Sequence, residues 1–139
     1  MAVLCHELGH YKMSHLLKQG LCDTLYMVIF GALLQLMVNR EAFLLSFGFD
    51  RESYMASLIL FVYLYSVSLD IPIRIGLNAY SRHQEHQADL YTVQQGYGEP
   101  LQHALIRSHA ISLDSLFLSK IDQLLVANHP SMQDRVKNI

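Results

Sequence analysis

Two histidines and a glutamate near the start of the chain have the spacing of a metal site on a helix. The segment reads His6-Glu-Leu-Gly-His10, so the two imidazoles are four residues apart and share one helical face. Glu7 points about 100° further around the axis, where its carboxylate can reach a water on the ion without binding the ion. Two neutral nitrogen ligands and a nearby carboxylate are what zinc-assisted amide hydrolysis requires. The alternative interpretation is a surface helix that carries these residues by accident.

A zinc site also needs a third protein ligand, and Glu85 is the candidate. It lies in residues 77–95, a segment without glycine or proline that is predicted to be helical. Asp89 follows Glu85 by about one turn and points the same way, so it can accept a hydrogen bond from a zinc-bound histidine and fix its tautomer. The alternative is that Glu85, Asp89 and Arg82 form ordinary ion pairs in solvent.

Three motifs, in this order, resemble the CAAX prenyl protease 1 family of integral-membrane zinc metalloproteases. The motifs span nearly the whole chain. They are His6-Glu-Leu-Gly-His10-Tyr-Lys12; Asn78 with Ser81-Arg82-x-x-Glu85-x-Gln87-Ala88-Asp89; and His129-Pro-Ser-x-x-x-Arg135.

The resemblance implies a role for each matched residue. Zinc, one ion per chain, would be bound by His6, His10 and Glu85, and Glu7 would be the general acid and base. His129 and Arg135 would support catalysis, either by stabilising the oxyanion of the transition state or by holding Asp89. The second shell around the ligands would consist of Asp89, Asn78 and Arg82.

The resemblance also implies a substrate and a location. The family cleaves the C-terminal tripeptide from prenylated CAAX proteins at the endoplasmic reticulum. A membrane protease of the HtpX type, which acts in quality control, uses the same chemistry and remains an alternative, as does an inactive truncated remnant. Lys12 and the sequence Gln87-Ala88-Asp89 favour the CAAX family.

Length sets one expectation about completeness. The family's proteins are far longer, with several transmembrane helices before the first motif, whereas His6 here follows Met1 by five residues. We therefore expect the chain to correspond to the C-terminal catalytic part, and to need missing N-terminal helices or a partner chain to bind substrate.

Composition agrees with a membrane setting. The 139 residues are 52% apolar and only 16% charged, which is unusual for a small soluble protein. A net charge of −2 gives no electrostatic basis for binding nucleic acid. Cys5 and Cys22 do not make a disulfide framework and suit a reducing compartment. We predict one metallopeptidase domain over residues 1–139.

Two uncharged apolar segments, residues 24–39 and 53–69, are candidate membrane spans. As helices they would be roughly 24 to 26 Å long, slightly short of the ~30 Å hydrocarbon core. Tyr26 and Tyr54 can lie at the interfaces and make up the difference. The alternative is a pair of helices buried in a soluble bundle. Two crossings return the chain to the side it left, so a hairpin would keep Glu85 on the same side as the first motif.

The predicted fold is therefore all-α, a helical integral-membrane metalloprotease fragment that contacts lipid. We expect a first-motif helix over 3–19 with Gly20 as its C-cap, a break of the second span at Pro72, a third-ligand helix over 77–95, and C-terminal helices within 101–139. A slight excess of basic residues on the motif side places the metal nearer the cytoplasm; these are Lys12, Lys18, Arg74 and Arg82, against Arg40 and Arg51.

The remaining histidines are not expected to bind the ion. His15, His83 and His86 are predicted to line or flank the site, and His103 and His109 to be packing or surface residues.

Overall fold

The computed structural model describes residues 1–38, 40–49, 53–112, 127 and 129–139. Within these residues the secondary structure is entirely helical, which confirms the all-α prediction. The helices are α1 (Ala2–Lys12), α2 (His15–Val38), α3 (Glu41–Leu45), α4 (Tyr54–Tyr65), a π-helical segment (Ser66–Asp70), α5 (Ile71–Gln94), α6 (Gly98–Ser112) and α7 (Met132–Asn138). In the region where C-terminal helices are predicted (101–139), α6 begins three residues earlier, at Gly98, and α7 spans Met132–Asn138, while residues 113–126 and 128 lie outside the described part.

The chain forms two compact units. One consists of Met1–Gln19 together with Arg74–Ile139, and the other of Gly20–Ile73. All three sequence motifs belong to the first unit, and both predicted spans belong to the second.

The first helix is shorter than the sequence predicts. Instead of running over 3–19, α1 ends at Lys12, and a new helix begins at His15 after a turn. Ser14 makes the turn with a φ of 55°, which lies in the left-handed region. A side chain there costs roughly 1–2 kcal/mol, so the break is not one that helix propensity would indicate. Gly20 is not a C-cap and lies inside α2.

Pro72 does not interrupt the second long helix. Helical structure continues from Tyr54 to Gln94, and Pro72 is the second residue of α5. A proline inside a helix has no N–H to donate and crowds the preceding turn. The π-helical segment Ser66–Asp70 directly precedes α5, and its wider turn changes the hydrogen-bonding pattern where the proline would otherwise clash.

The first unit is built around α5. Ala88 and Thr92 are fully buried on this helix, and the Thr92 hydroxyl donates to the Ala88 carbonyl oxygen at 2.9 Å. Helix α6 packs against both α1 and α7, with Leu101 buried on it. The turn between α5 and α6 is made by Gly96, whose φ of 82° is typical of a helix C-terminus.

The second unit contains an aromatic core. Phe61 and Tyr65 of α4 are each 5% exposed and pack with Val38. The Phe30 ring meets the Tyr65 ring edge-on with the centroids 4.8 Å apart. The Tyr26 hydroxyl donates to Asp70 Oδ1 at 2.5 Å, which links α2 to the π-helical segment.

Among the residues that the structure describes, two helices are long and apolar enough to cross a membrane, His15–Val38 and Tyr54–Gln94. Only 6% of the apolar window of the first and 17% of that of the second are buried. The core helix of a soluble bundle would bury most of such a window, so the exposed apolar surface favours lipid contact. The apolar part of the longer helix precedes α5 and its acidic residues.

Candidate metal centre

The structure brings His6, His10 and Glu85 together. His6 Nε2 is 3.1 Å from His10 Nε2 and 3.4 Å from Glu85 Oε2, and His10 Nε2 is 3.6 Å from Glu85 Oε1. His6 and Glu85 are each 7% exposed, and His10 is half-buried. Three potential ligand atoms from two helices therefore converge on one point.

These separations fit a tetrahedral metal ion. With metal–ligand bonds of about 2.0–2.1 Å, neighbouring ligand atoms of a tetrahedral site lie about 3.3 Å apart. The two histidine nitrogens are 3.1 Å apart, and each lies near that distance from a different Glu85 oxygen, His6 at 3.4 Å from Oε2 and His10 at 3.6 Å from Oε1. Two imidazoles and a carboxylate are also a donor set that zinc accepts, with a fourth position left for water or substrate.

A glycine allows the two ligand helices to approach. Gly9 is buried on α1, and a Cβ atom added there would lie 3.3 Å from Ala88 Cα and 3.1 Å from Tyr91 Cδ1 on α5. The backbones therefore approach closely at Gly9, which directly precedes His10, and at Ala88, which lies three residues after Glu85. Lys12 caps this contact, with its ammonium 4.9 Å from the centre of the Tyr91 ring.

Asp89 lies behind His6. His6 Nδ1 is 3.0 Å from Asp89 Oδ1, and the approach is bent rather than linear. Asp89 is 3% exposed, so its carboxylate is committed to protein partners. The arrangement leaves His6 Nε2 facing the ligand cluster.

Arg135 connects both buried carboxylates. Its Nε donates to Asp89 Oδ2 at 2.8 Å and its Nη2 to Asp89 Oδ1 at 2.7 Å, while Nη1 lies 3.2 Å from Glu85 Oε2. Arg135 lies in α7, whose first turn is capped by Ser131, which accepts from the Asp134 N–H at 3.1 Å.

His129 precedes α7 and also reaches the cluster. Its Nδ1 is 3.0 Å from Glu85 Oε1, and its side chain is 59% exposed. Ala127, two residues before His129, is held to α5 because Arg82 Nη1 donates to its carbonyl oxygen at 2.7 Å.

The carboxylates of Glu85 and Asp89 are both held in their ionised form. Burial opposes ionisation of Glu85, but hydrogen bonds from His129 and His6 and the charge of Arg135 prevail and lower its pKa. The pKa of Asp89 is likewise lowered, because its contacts with His6 and Arg135 outweigh burial. Burial disfavours a charge on His6, yet the two carboxylates raise its pKa to about 9. A positive charge is therefore stabilised where the ligand atoms converge, as a divalent cation would be.

The other residues named from the sequence occupy different positions. Glu7 lies on α1 between the two histidines with its side chain exposed. Asn78 is partly buried on α5, about two turns before Glu85. His83, His86 and His103 are exposed and His109 is partly buried, and none of them joins the ligand cluster.

His15 flanks the site, as the sequence predicts, but its contact with His10 was not predicted. His15 is 2% exposed, and its Nδ1 lies 3.0 Å from His10 Nδ1. Its other nitrogen, Nε2, is 3.0 Å from Gln87 Oε1. Spacing alone does not pair residues 10 and 15, because on an uninterrupted helix they would face different directions.

The family model for peptidase family M48 matches residues 1–139. The chain belongs to this family. M48 is a metallopeptidase family, in agreement with the His and Glu cluster.

Individual relatives agree with the family match. The chain is 33% identical over 141 residues to "CAAX prenyl protease 1 homolog" of Dictyostelium discoideum and 31% identical over 140 residues to the Arabidopsis thaliana homolog. Each alignment covers 100% of this chain and 32% of the relative, so the chain spans about a third of the curated relatives' length. The resemblance found from the three motifs is confirmed.

A solved structure supports the fold. The crystal structure of S. mikatae Ste24p aligns with a TM-score of 0.82 at 24% sequence identity. The alignment covers 99% of this chain and 35% of the other. The helical arrangement described here is therefore one already seen in a solved structure.

Proposed function

We propose that this chain carries the zinc site of a membrane endopeptidase that removes the C-terminal tripeptide from prenylated CAAX proteins. The observation that carries the proposal is the convergence of His6, His10 and Glu85, whose potential ligand atoms all lie within 4.8 Å of one another. The relatives named CAAX prenyl protease 1 support the substrate class, and the exposed apolar helices support a membrane location, with the endoplasmic reticulum as the expected compartment.

Two of the three proposed ligands are histidines on one helix, and the third is a carboxylate from another helix. His6 and His10 are one turn apart on α1, and Glu85 supplies the carboxylate from α5. When bound, zinc supplies Lewis acidity, which acidifies water and polarises a carbonyl oxygen. The burial of His6 and Glu85 keeps bulk water from competing for these ligand atoms.

Glu7 is the general base in this proposal. Its exposed carboxylate lies on α1 directly after His6, so it can take a proton from the attacking water without being a ligand. The same oxygen can then give the proton to the amine that leaves when the peptide bond breaks. Glu7 therefore acts at both steps of hydrolysis.

His129 and Arg135 have different supporting roles. The exposed His129 ring donates from Nδ1 to Glu85, and this contact raises the pKa of His129 and favours the doubly protonated ring. The Nε2–H of that imidazolium is the candidate donor to the oxyanion of the substrate. Arg135 is 13% exposed and is engaged by Asp89 and Glu85. It is a positioning residue that holds the two carboxylates.

Glu7→Gln is the direct test of the catalytic assignment. The substitution removes the base but none of the three ligands, so we expect at least a hundredfold loss of peptide cleavage with zinc content unchanged. Glu99→Gln, an exposed glutamate at the start of α6, is the matched control and should leave both properties unchanged. Undiminished cleavage by Glu7→Gln would reject Glu7 as the base.

A second assay tests the substrate. The purified protein is offered a prenylated CAAX peptide and, separately, an unfolded membrane protein. We expect release of the C-terminal tripeptide from the first. Cleavage of the unfolded protein alone would favour a quality-control protease of the HtpX type, and inactivity on both with zinc bound would favour a remnant without catalytic function.

A further inference from the structure

His15 is directed at His10 by the break between α1 and α2. On a continuous helix, residues five positions apart differ by about 140° around the axis, so the two rings would not meet. In the structure the chain turns at Ser14, whose φ is 55°, and His15 Nδ1 lies 3.0 Å from His10 Nδ1. The ring planes are 78° apart, with the centroids separated by 4.9 Å. An unfavourable backbone conformation is thus retained where it brings a buried imidazole against a metal ligand.

The hydrogen bonds of His15 determine which ring nitrogens of His15 and His10 carry a proton. Gln87 Oε1 is only an acceptor, so His15 Nε2, 3.0 Å away, must be the donor. A neutral imidazole with a proton on Nε2 has its lone pair on Nδ1, which then accepts from His10 Nδ1–H. His10 therefore keeps its Nε2 lone pair, and that atom faces His6 and Glu85.

We infer that His15 and Gln87 are a positioning pair that fixes the tautomer and ring orientation of His10 for metal binding. The inference rests on the metal site of the proposed function. Gln87 lies on α5 between Glu85 and Asp89, so the same helix that supplies one ligand also anchors the group behind another. Groups that hold the far nitrogen of a ligating histidine typically change metal affinity 10- to 100-fold when removed.

The two histidine ligands are supported in different ways. His6 is backed by the Asp89 carboxylate, whose charge is balanced by Arg135, whereas His10 is backed by an uncharged imidazole and amide. The neutral support orients His10 without adding negative charge next to the ion. A zinc ion bound there would therefore be more electrophilic than with a carboxylate hydrogen-bonded to each histidine.

Zinc affinity and histidine tautomers test the inference without relying on peptidase activity. Affinity is measured on the detergent-purified full chain by competition with a chelator for Zn²⁺. We expect His15→Leu to weaken binding about 10- to 100-fold. His15→Gln should recover most of the affinity, because a glutamine side chain offers an acceptor and a donor in the same order. Nitrogen-15 NMR of the zinc-loaded protein should find the proton of His15 on Nε2 and that of His10 on Nδ1.

Gln87 provides a second pair of variants that leaves both rings in place. Gln87→Glu keeps an acceptor for His15 and should retain the tautomers, whereas Gln87→Met has a similar shape, lacks the acceptor and should reduce zinc affinity. His103→Ala, an exposed histidine on α6, is the control and should change nothing.

Three results would overturn the inference. They are wild-type affinity in folded His15→Leu, no recovery by His15→Gln, or a proton on His15 Nδ1 in the zinc-loaded wild type. Any of these would leave the proposed peptidase site intact. Failure of the wild-type chain to bind zinc would instead contradict the proposed function itself.

Discussion

Arg135 forms a bidentate ion pair with Asp89, in which Nε is 2.8 Å from Oδ2 and Nη2 is 2.7 Å from Oδ1. The two residues are 46 positions apart, so the pair joins α7 to the helix that carries Glu85. The third nitrogen, Nη1, reaches Glu85 itself. The Arg135 guanidinium thereby orients the candidate ligand Glu85 and also Asp89, the carboxylate next to His6.

Arg135→Gln should destabilise the folded chain. The substitution leaves Asp89 and Glu85 buried without their cation, and loss of one partner from a buried ion pair costs about 3–5 kcal/mol. We expect a loss of free energy of unfolding in this range, measured by denaturant titration in detergent, together with weaker zinc binding. Arg107→Gln changes an exposed arginine on α6 and should have little effect on either quantity. Equal losses in both variants would contradict a special role for Arg135.

Gly9→Ala tests the close approach of α1 and α5. The new methyl group would meet the Ala88 backbone at 3.3 Å, and overpacking of this kind costs about 1–3 kcal/mol. Better helix propensity offsets about 1 kcal/mol of that cost. We expect a net loss of about 1 kcal/mol in the free energy of unfolding and reduced zinc affinity, because His6 and His10 move away from Glu85.

Gly76→Ala is the matched control for Gly9→Ala. Gly76 lies on α5, and an added Cβ would meet nothing within 4 Å. Here only helix propensity changes, so the free energy of unfolding should rise by up to about 1 kcal/mol with zinc affinity unchanged. If both alanine variants change the free energy of unfolding in the same direction, the close approach of Gly9 to Ala88 does not restrict the side chain at position 9.

Ser14 provides a test of the break between α1 and α2. Glycine adopts a positive φ without the steric penalty that Ser14 pays, so Ser14→Gly should raise the free energy of unfolding by about 1 kcal/mol. Zinc affinity should be retained because the turn is retained. Ser14→Val, with a β-branched side chain, should lower both stability and zinc affinity. A stabilising effect of valine would mean that the helix continues through residue 14 in solution.

Tyr26→Phe addresses the apolar unit. The substitution removes the hydroxyl that donates to Asp70 at 2.5 Å and keeps the ring packing. A hydrogen bond between membrane helices contributes roughly 0.6–2 kcal/mol, so we expect thermal unfolding in detergent at a lower temperature. Tyr63→Phe is the control, since the Tyr63 side chain is 64% exposed. No difference between the two variants would show that the bond to Asp70 contributes nothing to stability.

Much of the candidate site follows from spacing and residue type. The i, i+4 relationship of His6 and His10 predicts a shared helical face, and the same relationship of Glu85 and Asp89 predicts a ligand with a supporting carboxylate. The approach of His129 and Arg135 to the site was implied by the family motif alone. The structure brings both within 3.2 Å of Glu85.

The helix boundaries and the His15–His10 contact depend on tertiary packing, which the local sequence pattern does not reveal. The turn at Ser14 opposes the intrinsic preference of serine, so neither its location nor the pairing of His15 with His10 is visible in the helical period. Gly20 has the residue type of a C-cap, yet it lies within α2 because the preceding turn already ended α1. Pro72 predicts a break, but the π-helical segment before it lets the helix continue. The small residue at Gly9 matters only because Ala88 lies against it.

Zinc stoichiometry is the most direct test of the whole account. The detergent-purified wild-type chain should bind one zinc ion per chain, and Glu7→Gln should bind the same amount. Glu85→Ala and His10→Ala should each lose it, while Glu99→Ala, an exposed acidic control, should not. Retention of one tightly bound zinc ion by Glu85→Ala would contradict joint ligation by α1 and α5, and with it the central claim.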